Sequence, residues 1–489
     1  MTTLRKLLLP ALALGLFTFT APTFASVLFQ DDDAKDEAQD EESEDGEAAA
    51  DEDEGDKTFV IRGADIHTGT GAVLRGATLI AINGKIDEIG YDLALPEDAE
   101  ILDATGFRLY PGLVAVSSIG LFGGGSPIED TVDPFSRTMT LAVAGGITST
   151  VQGSEVAKLK RGHIKDLVIG SRPLQSMSYS KSSPAGKRSL REKFDGAAAY
   201  IREYKQGELD VRSNQDLKEP KKSGVDSGAL SVLLGQARAL FNADDRTDLL
   251  EIAKLAQRYE FRPVIDGCRE GWTVAADLGR AGATAIITPR ERRSQDESIM
   301  AEGGSSIENA AILYASGVDI AIIPGTKGVS LDGIAGRDIM HLPIEAAFAI
   351  RGGLPEDAAL AAITTVPARL LGVSHRVGRI EVGMDADFIV TDGDVLHYAT
   401  FVQWAVIDGE IIYDKEDEMY FAHIRPRPVT ELAPVDPVDA GEADEDVVEP
   451  PADEESDDED ADEEPGDEPE GSGDGEDGED GDDGGTASR

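Results

Sequence analysis

The feature that most constrains the fold is a regular alternation of short apolar runs with helical stretches between Val114 and Ile363. Alternation of this kind is typical of βα units arranged around a parallel sheet. The predicted strands are Ile147–Val151, Ile164–Ile169, Ala237–Asn242, Arg262–Asp266, Ala283–Ile287 and Asp319–Ile323, and the predicted helices are Thr138–Ala144, Leu190–Tyr204, Asp245–Tyr259, Gly271–Ala281, Ile307–Ser316, Ile339–Ile350 and Pro355–Ile363. Counted from Leu113, these units supply most of an α/β fold of the (β/α)8 TIM-like barrel type. Gly207–Asp226 is highly charged and is predicted to cross the surface.

The segment before the barrel is predicted to be a β-meander. Thr58–Asp65 and Ala77–Ile82 are rich in apolar and β-branched residues. Asn83-Gly84 follows directly, and this dipeptide is a strong signal for a tight hairpin turn. Lys85–Ile89 is therefore expected to return antiparallel to the strand before it.

Both ends of the chain differ in composition from its middle. Residues 1–25 have a basic start, an apolar core and a small-residue context at Ala25, which predicts a cleaved export signal, the alternative being an uncleaved anchor. Residues 26–56 and 429–489 are strongly acidic and contain few large apolar side chains, which predicts a disordered linker and a disordered tail. The formal net charge of -50 lies mostly in these two segments. Such a balance disfavours nucleic acid as a partner, and no stretch beyond the signal is predicted to span a membrane.

Four phrases of the sequence together resemble a known family. They are LYPGLVAVSSIG at 109–120, AGGITSTV at 144–151, GRIEVGMDADFIVTD at 378–392 and VQWAVIDGEIIY at 402–413. Their type and order resemble the amidohydrolase superfamily, in particular its imidazolonepropionase-like branch. The resemblance implies a barrel over 113–365 and a small β-sandwich built from 57–112 and 366–428. It also implies an exported hydrolase acting on carbon–nitrogen bonds other than peptide bonds.

The resemblance also implies where metal ligands should stand, and these positions hold other residue types. In that family two histidines follow the first barrel strand, and this chain has Ser117 and Ile119 there. Asn242 stands at the likely histidine position of the fifth strand, and Lys327 replaces the aspartate of the eighth. Serine is a poor zinc ligand and isoleucine is none. The family would use zinc or another divalent metal, but the substitutions predict that this chain binds no such cofactor.

The sixth strand leaves more room for interpretation. No histidine follows it, although Asp266 or the single cysteine, Cys268, could in principle bind a metal. The barrel-mouth candidates for a site are Ser117, Asn242, Asp266, Glu270 and Lys327. Our hypothesis is that the Lys327 ammonium partly fills the vacated cation site by pairing with Asp266, Asp244 or Glu270. The alternative is that Lys327 extends into solvent.

The six histidines fall elsewhere in the sequence. His67 precedes the barrel and is expected in a turn or at the surface, and only His341 is expected near the mouth, with a helix-surface position as the alternative.

Three functions are therefore left open. The chain could be a ligand-binding or partner-binding pseudoenzyme of the cell envelope, a hydrolase with an altered site, or a structural envelope protein. The expected location is periplasmic, in the cell envelope or extracellular. The expected partner is a small molecule or an envelope protein, with a homo-oligomer left open.

Overall fold

The computed structural model describes residues 56–179, 183–212, 224–292, 294, 303–330 and 336–418. The predicted export signal and acidic tail, and all but the last residue of the acidic linker, lie outside the described residues. The strands are β1 (Thr58–His67), β2 (Val73–Ile82), β3 (Lys85–Gly90), β4 (Glu100–Asp103), β5 (Arg108–Pro111), β6 (Leu113–Ala115), β7 (Ile147–Gln152), β8 (Glu155–Lys158), β9 (Val168–Ser171), β10 (Leu174–Met177), β11 (Arg238–Ala243), β12 (Val264–Gly267), β13 (Thr284–Ile287), β14 (Asp319–Ile322), β15 (Phe388–Thr391), β16 (Val402–Ile407) and β17 (Glu410–Asp414).

Nine α-helices occur in the described part of the chain. They are α1 (Arg137–Ala144), α2 (Pro184–Arg212), α3 (Ser227–Leu233), α4 (Arg246–Tyr259), α5 (Ala275–Arg280), α6 (Asn309–Ala315), α7 (Leu342–Arg351), α8 (Glu356–Ala361) and α9 (Thr365–Leu370). Short 3-10 turns occupy Ile128–Asp130, Gly271–Val274 and Ile339–His341. Among the described residues, no helix has both the length and the apolar content needed to span a bilayer.

Strands from both ends of the described chain share one eight-stranded sheet. Its order is β17-β16-β15-β5-β1-β2-β3, with β4 also pairing with β1. The two ends meet where β5 runs antiparallel to β15, with Pro111 opposite Phe388. The predicted turn joins β2 to β3, and both of its residues have positive φ, 50° at Asn83 and 77° at Gly84. One core cluster, which includes Phe59, fills the inner face of this composite sheet.

The barrel strands follow in two groups. Strands β10 to β14 form a parallel sheet in chain order, and β6 pairs in parallel with β7. The segment after α8 links the groups, because Ile322 donates its N–H to Ala362 O and Val114 donates its N–H to Ile363 O. In helix α9, Val366 and Leu370 pack against Val116, which follows β6, and against apolar side chains from β12, β13 and β14. The α/β barrel that the alternation predicted is therefore present.

The structure departs from the prediction between β7 and β11. The strand expected at Ile164–Ile169 begins only at Val168, and it pairs antiparallel with a strand that was not predicted, β8. β8 is short and contains Lys158, so it lacked the apolar pattern that marks a buried strand. Helix α2 is also longer than predicted, running from Pro184 to Arg212. The expected surface crossing falls partly within this helix, and residues 213–223 of it lie outside the described residues.

Candidate functional site

The barrel mouth brings three of the predicted residues together. Asn242 and Asp266 are register partners near the carboxyl ends of β11 and β12. Lys327 follows β14, and its carbonyl accepts the N–H of Ile119 at 2.9 Å. Because parallel strands end on one face of a barrel, residues distant in sequence meet at this mouth.

Lys327 forms an ion pair with Asp266. Its Nζ lies 3.3 Å from Asp266 Oδ2, and the two side chains are 30% and 28% exposed. The ammonium is thus turned toward a carboxylate of the mouth, as our pairing hypothesis expected, and does not simply extend into solvent. Since the pair stays partly open to water, a ligand entering the mouth can reach both of its charges.

A second cation, Arg172, lies within electrostatic range of Asp266. Burial lowers the pKa of the Arg172 guanidinium, and the Asp266 charge opposes that shift. Among the described residues, the Arg172 side chain makes no hydrogen bond or ion pair. Asp266 therefore pairs with Lys327 and also lies within electrostatic range of Arg172, whose donors have no partner among the described residues.

Two other predicted partners of Lys327 are engaged elsewhere. Asp244 forms an ion pair with Arg269, which also binds Glu291 at 2.8 Å. Glu270 accepts the N–H of Arg246 and the N–H of Gly304, both at 2.9 Å. Glu270 therefore ties the first residue of α4 to the loop at Gly304, and its oxygens do not contact Lys327.

The end of β6 supplies a mixed surface. Ser117 is half-buried, and the neighbouring Ser118 is buried with its hydroxyl donating to Val151 O at 3.1 Å. Ile119 is 67% exposed. The two positions that the family resemblance assigns to metal-binding histidines therefore hold a hydroxyl and an open apolar side chain.

Cys268 is not available for chemistry. It is fully buried, and burial raises the pKa of its thiol to about 12. A thiol of this kind stays protonated near neutral pH, whereas the thiolate is the species that binds metals and attacks electrophiles. Burial and the raised thiol pKa therefore disfavour Cys268 as a metal ligand.

His341 and His67 take structural positions. His341 Nδ1 hydrogen-bonds Asp338, a buried carboxylate that also accepts the N–H of Ser330 at 3.0 Å. Burial would raise the pKa of Asp338, but these hydrogen bonds lower it overall. His67 ends β1 and stacks on Tyr110 with ring centroids 4.3 Å apart. Both rings support loops or strands and neither contacts the Lys327–Asp266 pair.

A sequence model of the amidohydrolase family matches residues 276–417, which include β13, β14 and the carboxyl-terminal strands of the composite sheet. The barrel with its composite sheet has the architecture of that superfamily. This matched segment belongs to the amidohydrolase family.

Individual relatives support the same placement over limited spans. The amidohydrolase tasK of Hapsidospora irregularis is 38% identical over 94 residues, which are 19% of this chain and 10% of that protein. The N-acetylglucosamine-6-phosphate deacetylase of Rattus norvegicus is 39% identical over 100 residues, which are 20% of this chain and 22% of the deacetylase. These curated relatives are therefore matched over less than a quarter of their length. The crystal structure of an amidohydrolase from Thermotoga maritima MSB8 superposes with a TM-score of 0.55 at 24% identity, covering 73% of this chain and 100% of that one, and shows the shared fold.

The mouth of this barrel does not fit a catalytic dication. The family position of the eighth strand carries an ammonium, and Asn242 offers only a neutral amide. No group of three or more His, Cys, Asp or Glu side chains suited to a metal occurs in the part of the chain that the structure describes. A positive charge 3.3 Å from Asp266 also competes electrostatically with any cation for that carboxylate.

Sequence reasoning missed two half-buried cations of the barrel, Arg172 and Arg290. Arg172 stands outside any strand, between β9 and β10, in a stretch without clear periodicity. Arg290 follows β13, donates its Nε–H to the buried Glu345 at 2.6 Å and lies over the Phe348 ring. Neither belongs to a recognisable motif, so only the three-dimensional arrangement reveals them.

Proposed function

We propose that this chain is an exported amidohydrolase-superfamily protein whose barrel mouth binds a small organic ligand without a catalytic dication. The observation that carries the proposal is the 3.3 Å contact between Lys327 Nζ and Asp266 Oδ2. An ammonium in this place supplies one positive charge to the carboxylate and removes the electrostatic need for a metal.

The donors and acceptors of the mouth favour a particular class of ligand. Lys327 and the unpaired Arg172 donate hydrogen bonds, Asp266 accepts them, and the Asn242 amide does both. A ligand with a carbonyl oxygen next to an N–H group satisfies both kinds of partner. Small amides, lactams and cyclic amides have this pattern, and the exposed Ile119 adds an apolar surface for their hydrocarbon part.

A second candidate function is hydrolysis of a carbon–nitrogen bond without a metal. The matches to proteins named amidohydrolase and deacetylase favour it. In that reaction Asp266 would accept a proton from the attacking water and return it to the departing nitrogen, while Lys327 would hold the carbonyl oxygen.

Metal analysis and ligand binding test the proposal together. We expect the purified full chain to carry no stoichiometric zinc, manganese or iron, and we expect 2-pyrrolidinone or hydantoin to bind by titration calorimetry. Lys327→Met should weaken that binding about tenfold, the equivalent of one charge-assisted hydrogen bond.

The control is Lys254→Met, which removes an exposed lysine of α4 and should leave binding unchanged. A stoichiometric metal that supports turnover would overturn the proposal. Hydrolysis of either compound by the metal-free protein, lost in Asp266→Asn, would instead establish the second candidate.

Export is the remaining part of the proposal, and it rests on the composition of residues 1–25. Expression of the full chain in a bacterium followed by fractionation and N-terminal sequencing tests it. Mature protein beginning near Ser26 in the periplasmic or extracellular fraction is the expected result, and uncleaved protein in the cytoplasm would contradict it.

A further inference from the structure

A second cavity among the described residues lies away from the barrel mouth. It has a volume of about 830 Å³ and opens between the composite sheet and the segment that connects β8 to β9. Most residues of its walls are charged or polar, and they include Lys85, Lys160, Arg376, Asp385 and Asp408. None of the barrel-mouth candidates lines it, so it is a separate site.

The floor of this cleft holds more cations than carboxylates. Asp385 alone accepts from three of them, with Lys85 Nζ at 2.8 Å, Lys158 Nζ at 2.7 Å and Arg376 Nε at 2.8 Å. Asp408 is shared in the same way between Lys158 and Lys160.

Of this cluster, the cations Lys85, Lys160 and Arg376 and the carboxylates Asp385 and Asp408 line the cleft, and Lys158 and Asp387 are buried behind them. The Lys85 side chain is 59% exposed and that of Arg376 is 30% exposed. These two cations can turn toward an incoming anion while Lys158 keeps the buried carboxylates paired.

Three carboxylates at the rim of the cleft are not paired in this way. Asp98, Glu100 and Asp166 line the cleft and are exposed, and no hydrogen bond or ion pair of their side chains occurs among the described residues. Lys57, Lys165 and His163 also line the cleft; His163 Nε2 lies 3.3 Å from Glu410, and its buried Nδ1 has no partner among the described residues. The cleft thus combines a floor of cations that share carboxylates with three rim carboxylates that do not pair with a cation in the described part of the chain.

We infer that this cleft binds a small zwitterion with separated charges, namely a short peptide with free ends. Its carboxylate would take the free donors of Lys85 and Arg376, and its ammonium would lie among Asp98, Glu100 and Asp166. An anion without an ammonium is attracted by the cations of the floor but repelled by the rim carboxylates. A cation without a carboxylate is repelled by the cations of the floor. Only a ligand that carries both charges matches both regions.

The test compares three probes that share one dipeptide backbone and differ in which end is charged: glycylglycine, N-acetylglycylglycine and glycylglycinamide. Binding to the purified full chain is measured by titration calorimetry at low salt, where charge pairs are least screened. We expect glycylglycine to bind saturably in the millimolar range. Each blocked peptide should bind about tenfold more weakly, as should glycylglycine to Lys85→Met or to Arg376→Gln.

The matched control is Lys254→Met, which removes a lysine that does not line the cleft and should bind glycylglycine like the unaltered protein. Lys85 is more than half exposed, so its replacement should leave the fold intact, as unchanged thermal unfolding would verify. Equal binding of all three probes, equal binding by Lys85→Met, or no saturable binding would each overturn the inference. Tight binding of the acetylated probe alone would do the same, because it would show an anion site.

Discussion

Replacing Lys158 by methionine is expected to lower the free energy of unfolding by about 3 to 5 kcal/mol, the cost of leaving buried charge uncompensated. Lys158 is 0% exposed and lies 2.7 Å from Asp385, 2.9 Å from Asp387 and 2.5 Å from Asp408. Without the ammonium, three largely buried carboxylates face one another with less neutralising charge. Urea denaturation of the two proteins measures the difference.

The control for this substitution is Lys85→Met. Lys85 pairs with the same Asp385, but its side chain is 59% exposed. Its replacement should therefore lower the free energy of unfolding by less than about 1 kcal/mol. Equal losses in the two variants would contradict the view that burial makes Lys158 the critical partner.

The pH dependence of Lys158→Met provides an independent check with a defined sign. Burial would raise the pKa of Asp385 and Asp408, but the Lys158 charge lowers both overall, whereas burial keeps the pKa of Asp387 raised. The two lowered groups therefore stabilise the unaltered fold above their unfolded pKa of about 4, and this contribution is lost as the pH falls through their folded values.

In the variant, burial without the ammonium raises all three carboxyl pKa values. Their protonation then favours the folded state, so the deficit relative to the unaltered protein should be smaller at about pH 5 than at about pH 7.5. A difference in the free energy of unfolding between the two proteins that grows as the pH falls would contradict this account.

Gly112→Ala is expected to lower the free energy of unfolding by about 2 to 3 kcal/mol, because the added methyl group overpacks the core. Gly112 joins β5 of the composite sheet to β6 of the barrel, and its N–H donates to Asp387 O at 3.1 Å. A Cβ built at this position would lie 2.1 Å from Thr148 Oγ1 and 2.5 Å from Thr148 Cγ2. Because Thr148 is fully buried, it has no open space to move into.

Gly124→Ala is the matched control, since a Cβ there meets nothing within 4 Å and its φ is not positive. Thermal unfolding of both variants measures the contrast. A loss of stability in Gly124→Ala as large as that in Gly112→Ala would contradict the steric explanation.

Much of the fold follows from local sequence patterns. The Asn83-Gly84 turn, helix α4 and strands β11 to β14 were predictable, because each depends on turn chemistry or on apolar periodicity within a few neighbouring residues. Strand β8 was not predictable, because Lys158 is stabilised inside it by aspartates that stand more than 220 positions later in the chain. Charge complementarity between such distant residues leaves no local signal.

The candidate site likewise has features that the sequence predicts and features that it does not. A pairing of Lys327 with a carboxylate of the mouth could be proposed from the sequence, since recognisable barrel strands converge there, but the sequence left Asp266, Asp244 and Glu270 open as partners. The engagement of Glu270 by backbone N–H groups was not predictable, because the sequence does not indicate which backbone groups lack partners. Arg172 was missed for a related reason, since it lies in the bend between two short strands.

The shared sheet has a consequence for how this protein is made. Strand β5 is synthesised long before β15, yet β15 supplies the hydrogen bonds along one of its edges. During translation, the amino-terminal strands therefore expose an unpaired edge until almost the whole barrel has left the ribosome. We expect the last strands to act as a closing step, so that a chain truncated before Phe388 stays bound to chaperones and fails to reach a protease-resistant state.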